Sequence, residues 1–147
     1  MRKAFTVLGA LAMMLAVVAP AQASDFSAAA TCSGNGGTFK KSVGGVGELR
    51  IDFSGGSNTA CFHHIGAAAN KPAETAVEIF KCTQTSGEGQ LGCTYTAYDS
   101  DGPGNWSQFA GPATVTGTSN VCVLATGYIK WGGRTYSVDS GRQGCPN

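Results

Sequence analysis

Short runs of alternating apolar and polar residues, separated by glycine-rich turns, make up most of the chain after residue 23. The clearest run covers residues 46–53, where Leu49, Ile51 and Phe53 alternate with charged side chains. Such alternation predicts a strand with one buried face and one solvent-facing face. The run 59–65 follows after a glycine-rich turn, so we expect the two runs to pair as an antiparallel hairpin.

A second hairpin is predicted from runs 75–82 and 91–98, which flank a polar loop. Each run carries a cysteine near the loop, and placing the two cysteines opposite each other defines a register. The resulting pairs on neighbouring strands are Cys82 with Cys93, Phe80 with Tyr95, and Ile79 with Thr96. A disulfide at this position would close a short loop and stabilise the fold by roughly 2–4 kcal/mol.

The region 121–138 predicts the third hairpin. Its first run, 121–125, is apolar throughout, as expected of a strand buried on both faces. After Gly127, the runs 128–131 and 134–138 flank two glycines, which favour a two-residue turn because that turn needs positive φ twice. The expected pairs are Trp131 with Arg134, whose guanidinium could lie over the indole ring, and Ile129 with Tyr136. The expected core face holds Trp131, Ile129, Tyr136 and Val138, and the wetter face holds Tyr128, Lys130, Thr135 and Ser137.

These runs predict an all-β fold. The chain contains 22 glycines, and turn signals divide its β-prone runs. No run after residue 23 has a long helical period, and Pro72 limits any helix in 66–74 to a short turn. Short strands at such spacing are typical of a small antiparallel β-sandwich or barrel.

Residues 1–23 predict a cleavable secretory signal peptide. Two basic residues begin it, the uncharged apolar run 4–18 follows, and Ala21-Gln22-Ala23 has the small residues that signal peptidase requires. An uncleaved membrane anchor is the alternative, but the apolar run is shorter than the roughly 20 residues of a spanning helix. We therefore expect residues 24–147 to form a single secreted domain without a membrane segment.

The charge of the expected mature chain excludes some partners. Cleavage would remove two of the ten basic residues and leave nine acidic ones, which gives a net charge of −1. Nucleic-acid binding would favour a basic stripe, and binding to acidic lipid would favour a polybasic run. We expect neither partner and no cofactor.

The cysteines support export. Six of them follow the signal, and an even number in a secreted chain predicts three disulfides. A zinc site would normally contain closer pairs than the shortest spacing here, which is eleven residues. The six are Cys32, Cys61, Cys82, Cys93, Cys122 and Cys145.

The two histidines, His63 and His64, are adjacent. Neighbouring residues of a strand point to opposite faces, so these two are not expected to bind one metal ion. A hydrolytic site would require one of them beside a serine and a buried aspartate, for which Asp52, Asp99 and Asp139 are available. No G-x-S-x-G motif identifies a nucleophile. We therefore predict no catalytic residues, no metal site and no enzyme activity.

The segment 99–105 contains Asp99 and Asp101 next to a glycine. Turns and calcium-binding loops share this pattern. Pro103 occupies the third ligand position of a calcium loop, and Ala110 stands where a glutamate would be required. We predict a turn, with calcium binding as the alternative.

Aromatic residues provide a candidate binding surface. One of these residues, Trp106, lies in the triplet Asn105-Trp106-Ser107, which matches the acceptor pattern for N-glycosylation. Trp106, Tyr95, Tyr98 and Tyr128 either pack within the fold or line a surface that binds sugar or protein.

Several stretches of the chain match a family pattern. The second half contains Tyr98-Asp-Ser-Asp-Gly102, Phe109-Ala-Gly-Pro-Ala-Thr-Val115, Val121-Cys-Val123 and Gly127-Tyr-Ile129, and the first half contains Gly47-Glu-Leu49 and Asn58-Thr-Ala-Cys61. Together they resemble spore-associated protein A, a family of small secreted actinobacterial proteins. The resemblance implies association with the spore or aerial cell surface, and it implies no catalytic residues.

The resemblance also bears on the disulfides. Cys82 and Cys93 are additional to the cysteines of the family pattern, which implies a local bridge between them. Among the remaining four, the shortest loops favour the pairs Cys32–Cys61 and Cys122–Cys145, although sequence does not determine connectivity.

Two other functions remain open. A secreted module that binds or inhibits an extracellular protease would be favoured by a long exposed loop across a disulfide, and carbohydrate binding by coplanar exposed aromatics around Trp106. A small hydrolase would require a histidine bonded to both a serine and a carboxylate.

Overall fold

A computed structural model describes residues 31–147. Its eight strands form two four-stranded antiparallel sheets that face each other across one hydrophobic core. The strands are β1 (Phe39–Val43), β2 (Gly47–Ser54), β3 (Ser57–His64), β4 (Ala73–Cys82), β5 (Tyr95–Trp106), β6 (Phe109–Thr116), β7 (Val123–Trp131) and β8 (Arg134–Gln143). The predicted all-β class is confirmed, in its sandwich form.

The first sheet has the strand order β1-β2-β3-β6, and the second has the order β5-β4-β7-β8. The short helix expected within 66–74 is a single 3-10 turn, Gly66–Ala68. Within the described residues, no helix has the length and apolar character needed to cross a membrane. The predicted signal peptide lies outside these residues.

Two of the predicted hairpins form as expected. Strands β2 and β3 pair around their glycine turn, and Leu49 and Ile51 are fully buried. Phe53 shares their face but is 51% exposed, because it lies near the open end of the strand. In the β7–β8 hairpin, Trp131 pairs with Arg134 as predicted. The cation found over the indole ring is Lys71, whose Nζ lies 6.0 Å from the ring centroid.

The core is organised around Phe62, which is fully buried on β3. Its ring occupies space left by two glycines, Gly47 on β2 and Gly127 on β7. A Cβ atom at either glycine would overlap the ring. Gly127 separates two β-prone runs in the sequence, but β7 continues through it as one strand. The glycine has no side chain, and the Phe62 ring occupies the space that a side chain would take.

Strand β5 differs most from its prediction. It begins at Tyr95 rather than at residue 91 and continues to Trp106, so the predicted turn at 99–105 is part of a strand. The register is also shifted by a bulge near Cys82, which pairs with Tyr95. The expected pairs of Phe80 with Tyr95 and Ile79 with Thr96 are therefore wrong: the observed pairs are Phe80 with Tyr98 and Ile79 with Asp99.

Asp99 and Asp101 explain why this acidic segment remains extended. Strands β5 and β6 are edge strands of opposite sheets. The Asp101 carboxylate accepts the backbone N–H of Gly111 at 2.6 Å, and the Asp99 carboxylate accepts that of Thr114 at 2.8 Å. These charge-assisted bonds satisfy edge groups of β6 that would otherwise be open to another strand.

Three disulfides join Cys32 to Cys61, Cys82 to Cys93, and Cys122 to Cys145. These are the pairs expected from the sequence. The first ties the segment 31–38, called the N-terminal segment below, to the outer face of the first sheet. The other two lie in a small second cluster with Leu124 and Phe80, at the outer face of the second sheet.

The fit of Phe62 between the glycines predicts a steric effect at Gly127. Because Gly127 has ordinary strand geometry, Gly127→Ala should act mainly through overlap with Phe62, with a lesser contact to the Ala76 carbonyl, and lower the free energy of unfolding by about 1–3 kcal/mol. Urea unfolding measures this loss. The double variant Gly127→Ala/Phe62→Leu should recover part of the stability lost in Gly127→Ala, and a purely additive loss would contradict the proposed fit.

The bonds between β5 and β6 predict a second effect. Asp101→Ala leaves the N–H of Gly111 without its acceptor, so we expect a loss of about 1–3 kcal/mol in the free energy of unfolding. The freed edge should also promote concentration-dependent association, measurable by analytical ultracentrifugation. Ser100→Ala on the same strand is the control and should change stability by less than about 0.5 kcal/mol. Equal effects of the two variants would refute this role for Asp101.

Candidate functional site

The two histidines lie on opposite faces of β3, as predicted. His63 faces outwards, with its ring centroid 5.5 Å from that of Phe109. His64 faces inwards and is held at both ring nitrogens: Nδ1 lies 3.0 Å from the carbonyl oxygen of Lys71, and Nε2 lies 2.6 Å from the hydroxyl of Thr75. A carbonyl only accepts, so Nδ1 donates to it. The Thr75 hydroxyl has a single proton and lies within hydrogen-bonding distance of both Nε2 and the Ala73 carbonyl oxygen, at 2.6 and 3.0 Å.

This arrangement resembles part of a hydrolytic triad but lacks its requirements. The hydroxyl belongs to a threonine that is fully buried, and a backbone carbonyl takes the position of the carboxylate. The Thr75 hydroxyl therefore has no access to a substrate. His64 instead links the loop before β4 to the strand itself.

A polar network surrounds His63 on the outer face of the first sheet. Arg50 donates to the Glu48 carboxylate at 2.6 Å, and Ser42 donates to it at 2.8 Å. Burial opposes ionisation of Glu48, but these two hydrogen bonds and the charges of Arg50 and Lys40 outweigh it and lower the pKa of the carboxyl. At His63, burial and the positive charge of Arg50 lower the pKa to about 4.

The candidate aspartates all hold backbone groups. Asp52 accepts the N–H groups of Gly36 and Gly37, both at 2.9 Å, and so fastens the N-terminal segment over the first sheet. Asp139 accepts the N–H of Gly141 at 2.7 Å in a bulge of β8. With Asp99 and Asp101 bonded to β6, these carboxylates serve the fold. Among residues 31–147, no three histidine, cysteine or acidic side chains converge as a metal site would require.

The outer face of the second sheet carries an exposed aromatic cluster, formed by Phe80, Tyr95 and Tyr98. The Phe80 ring centroid lies 5.0 Å from that of Tyr95 and 6.2 Å from that of Tyr98. Tyr95 and Tyr98 are 52% and 62% exposed, whereas Phe80 packs against the two disulfides of the second cluster. The covalent links thus support rings that remain open to solvent.

A groove of about 370 Å³ lies on the same face of the second sheet, and none of the three rings of the aromatic cluster lines it. Glu78 lies two residues before Phe80 on β4 and so shares its face. Glu78 is paired with Thr126 on β7, and Thr126 is paired with Asp139 on β8. We call this the sheet groove; its lining includes Glu78, Pro103, Thr126, Tyr128, Ser137 and Asp139. Rings, hydroxyls and carboxylates therefore alternate along one surface.

Tyr128 is fixed at the far end of the sheet groove. Its hydroxyl donates to the Glu74 carboxylate at 2.9 Å, and Lys130 lies 2.9 Å from the same oxygen. The bonds from Lys130 and Tyr128 lower the pKa of Glu74. Burial and the bond to Glu74 raise the pKa of Tyr128, and the bond to Glu74 raises that of Lys130.

The condition stated above for carbohydrate binding, coplanar exposed aromatics around Trp106, is not met. The exposed aromatic cluster lies elsewhere, and its Tyr95 ring is inclined by 54° to Phe80 and by 76° to Tyr98. Trp106 is 38% exposed and lies beside Phe109 and Pro112, along the border between β5 and β6. Tyr95, Tyr98 and Tyr128 do share the face of the second sheet. Phe80 completes the cluster. The sequence paired it with Tyr95, and the two rings do contact each other although the strand register places Phe80 opposite Tyr98.

The loop 83–94 crosses the Cys82–Cys93 disulfide and exposes Leu91, which is 75% accessible. Arg142 donates to the carbonyl of Gly92 at 2.9 Å and so restrains the loop. Gly92, directly after Leu91, has a φ of 77°. A protease cleft binds its substrate as an extended strand, so the bend at Leu91 does not favour the inhibitor hypothesis.

The low pKa of His63 predicts acid sensitivity. The unfolded chain protonates this histidine near pH 6.5 and the folded protein only near pH 4, so the unfolded state binds more protons between these values. The free energy of unfolding should therefore fall by about 1–2 kcal/mol as the pH drops from 6.5 to 4, after allowance for solvent screening, and His63 should have no such effect above pH 6.5. Urea unfolding from pH 7 to pH 4 measures it.

His63→Gln should reduce this slope with pH, whereas Thr59→Ala on the same face should leave the slope unchanged. Parallel pH profiles for His63→Gln and the unaltered protein would contradict the assignment.

Comparison with known proteins adds no relationship: no protein-family model matches this chain, and neither does any curated protein or solved structure.

Proposed function

We propose that this chain is a secreted, non-enzymatic protein that attaches to a polysaccharide at the cell or spore surface. The exposed aromatic cluster of Phe80, Tyr95 and Tyr98 is the observation that carries the proposal. Its three rings lie together on one sheet face, and the sheet groove lies on the same face.

The chemistry of this face suits sugar rings. A pyranose has an apolar face of C–H groups, which packs against the electron-rich face of an aromatic ring. Its hydroxyl groups both donate and accept hydrogen bonds, and the groove offers hydroxyls at Thr126, Tyr128 and Ser137. Carboxylates at Glu78 and Asp139 add acceptors along the same path.

The environment of the face favours binding without large rearrangement. Phe80 is braced by the cluster that contains Cys82 and Cys122, and Tyr128 is held by Glu74. A surface that is already ordered loses little conformational entropy when a ligand binds. Rigid aromatic anchors on such a surface provide most of the binding energy in many complexes.

Other observations support the secreted and non-enzymatic parts of the proposal. Three disulfides are typical of extracellular proteins. The N-terminal sequence has the features of a secretory signal, and the resemblance to spore-associated protein A favours a surface location. His64, the histidine bonded to a hydroxyl, is buried away from substrate.

Co-sedimentation with insoluble polysaccharides tests the proposal. The secreted protein should bind at least one of purified actinobacterial cell wall, chitin or cellulose. Removing the two exposed rings in Tyr95→Ala/Tyr98→Ala should weaken binding at least about tenfold, because each ring would contribute on the order of 1 kcal/mol.

Leu91→Ala is the matched control, since Leu91 is exposed on the neighbouring loop but lies outside the aromatic cluster. It should bind like the unaltered protein. Binding that survives loss of both tyrosines, or no binding to any of the three polysaccharides, would contradict the proposal.

A further inference from the structure

A separate pocket lies at the end of the sandwich where the β2–β3 turn and the end of β8 meet. Its volume is about 360 Å³. We call it the Asn58 pocket; it is lined by Thr38, Phe53, Asn58, Glu88, Thr118, Ser119 and Gly144. These residues belong to different elements and do not include any residue of the aromatic cluster or the sheet groove.

Asn58 is the unusual residue of this pocket. It lies on the core-facing side of β3, and its residue surface is only 3% exposed. The side-chain oxygen Oδ1 is buried, and no residue in the described part of the chain donates a hydrogen bond to it. Oδ1 has almost no accessible surface of its own, so a ligand in the pocket reaches the amide through its nitrogen, which lies towards Gly144. Rotating the amide by 180° would present the oxygen as an acceptor and bury the nitrogen in its place.

The other lining groups restrict the class of ligand. Phe53 provides an aromatic wall that is 51% exposed. Thr38, Thr118 and Ser119 contribute hydroxyl groups. Both oxygens of Glu88 accept backbone N–H groups, from Gly144 at 3.1 Å and from Cys145 at 2.9 Å.

This combination selects a neutral, hydroxyl-rich ligand with one apolar face. The negative charge of Glu88 disfavours anions, and within the part of the chain that the structure describes no cationic side chain lines the pocket. An apolar ligand would leave the amide and hydroxyl groups without partners. A sugar ring meets both demands, because its hydroxyls reach the polar groups while its C–H face covers Phe53.

We infer that the Asn58 pocket binds a single pyranose unit. The Asn58 amide bonds to one of its hydroxyl groups, and Phe53 packs against its apolar face. The unit is either a free monosaccharide or the terminal residue of a glycan chain. The pocket is independent of the aromatic cluster, so its failure and that of the proposed function are distinguishable.

Isothermal titration calorimetry of the secreted protein tests the inference with four probes: D-glucose, D-mannose, D-galactose and N-acetyl-D-glucosamine. At least one should bind, and Asn58→Leu and Phe53→Ala should each weaken that binding at least tenfold. Tyr95→Ala/Tyr98→Ala should leave it within twofold, and Thr59→Ala, on the outer face of the same strand, serves as a second control. Absence of binding for all four monosaccharides and for their β-1,4-linked trimers would overturn the inference.

The trimer of the sugar that binds identifies the source of the unit. Tighter binding of the trimer than of the monomer, still sensitive to Phe53→Ala, indicates a chain-end site. Tighter binding of the monomer indicates a free-sugar site. Either result supports the inference, whereas trimer binding that is insensitive to both Asn58→Leu and Phe53→Ala would overturn it.

Thermal unfolding separates a ligand-binding role for Asn58 from a structural one. Leucine has a similar size and removes the unpaired amide, so Asn58→Leu should unfold at the same temperature as the unaltered protein or at a higher one. A clear fall in unfolding temperature, together with sugar binding that Phe53→Ala does not affect, would show that the amide serves the fold and would overturn the inference.

Discussion

The packing of Phe62 against two glycines fixes the distance between the sheets. The ring on β3 occupies space that Gly47 leaves in its own sheet and Gly127 leaves in the opposite one. Protein interiors have little free volume, so a side chain at either glycine would force the layers apart or displace the ring. The bonds from Asp99 and Asp101 to β6 span the same gap at its edge, and they require the same spacing.

The two outer faces of this sandwich differ in what covers them. The N-terminal segment lies over the first sheet, held by the Cys32–Cys61 disulfide and by Asp52, and the network around Glu48 lies on the same face. The second sheet keeps its aromatic cluster exposed and uses two disulfides beneath it as support. This asymmetry favours the second sheet as the binding face, while the Asn58 pocket uses the open end between the layers.

The sequence predicted the structure correctly where the determining residues are close together in the chain. The β2–β3 and β7–β8 hairpins follow from alternating residues and paired turn glycines, and the even cysteine number predicted three bridges. The prediction was wrong at Asp99 and Asp101, because Asp, Gly and Pro normally indicate a turn. The N–H groups that keep this segment extended belong to the opposite sheet, which the local sequence does not show. The function of Gly127 depends likewise on a distant residue, Phe62. The Asn58 pocket was not foreseen, because it joins segments that are far apart in sequence.

The two proposed sugar-binding surfaces lie on the second sheet and at the end of the sandwich. Titration of the ¹⁵N-labelled protein with soluble oligosaccharides of cell-wall composition, followed residue by residue by NMR, tests this most directly. Saturable shifts should occur at Phe80, Tyr95 and Tyr98, and separately around Phe53 and Asn58. Shifts confined to the region of His63 and Phe109, or no shifts at saturating sugar, would contradict the account.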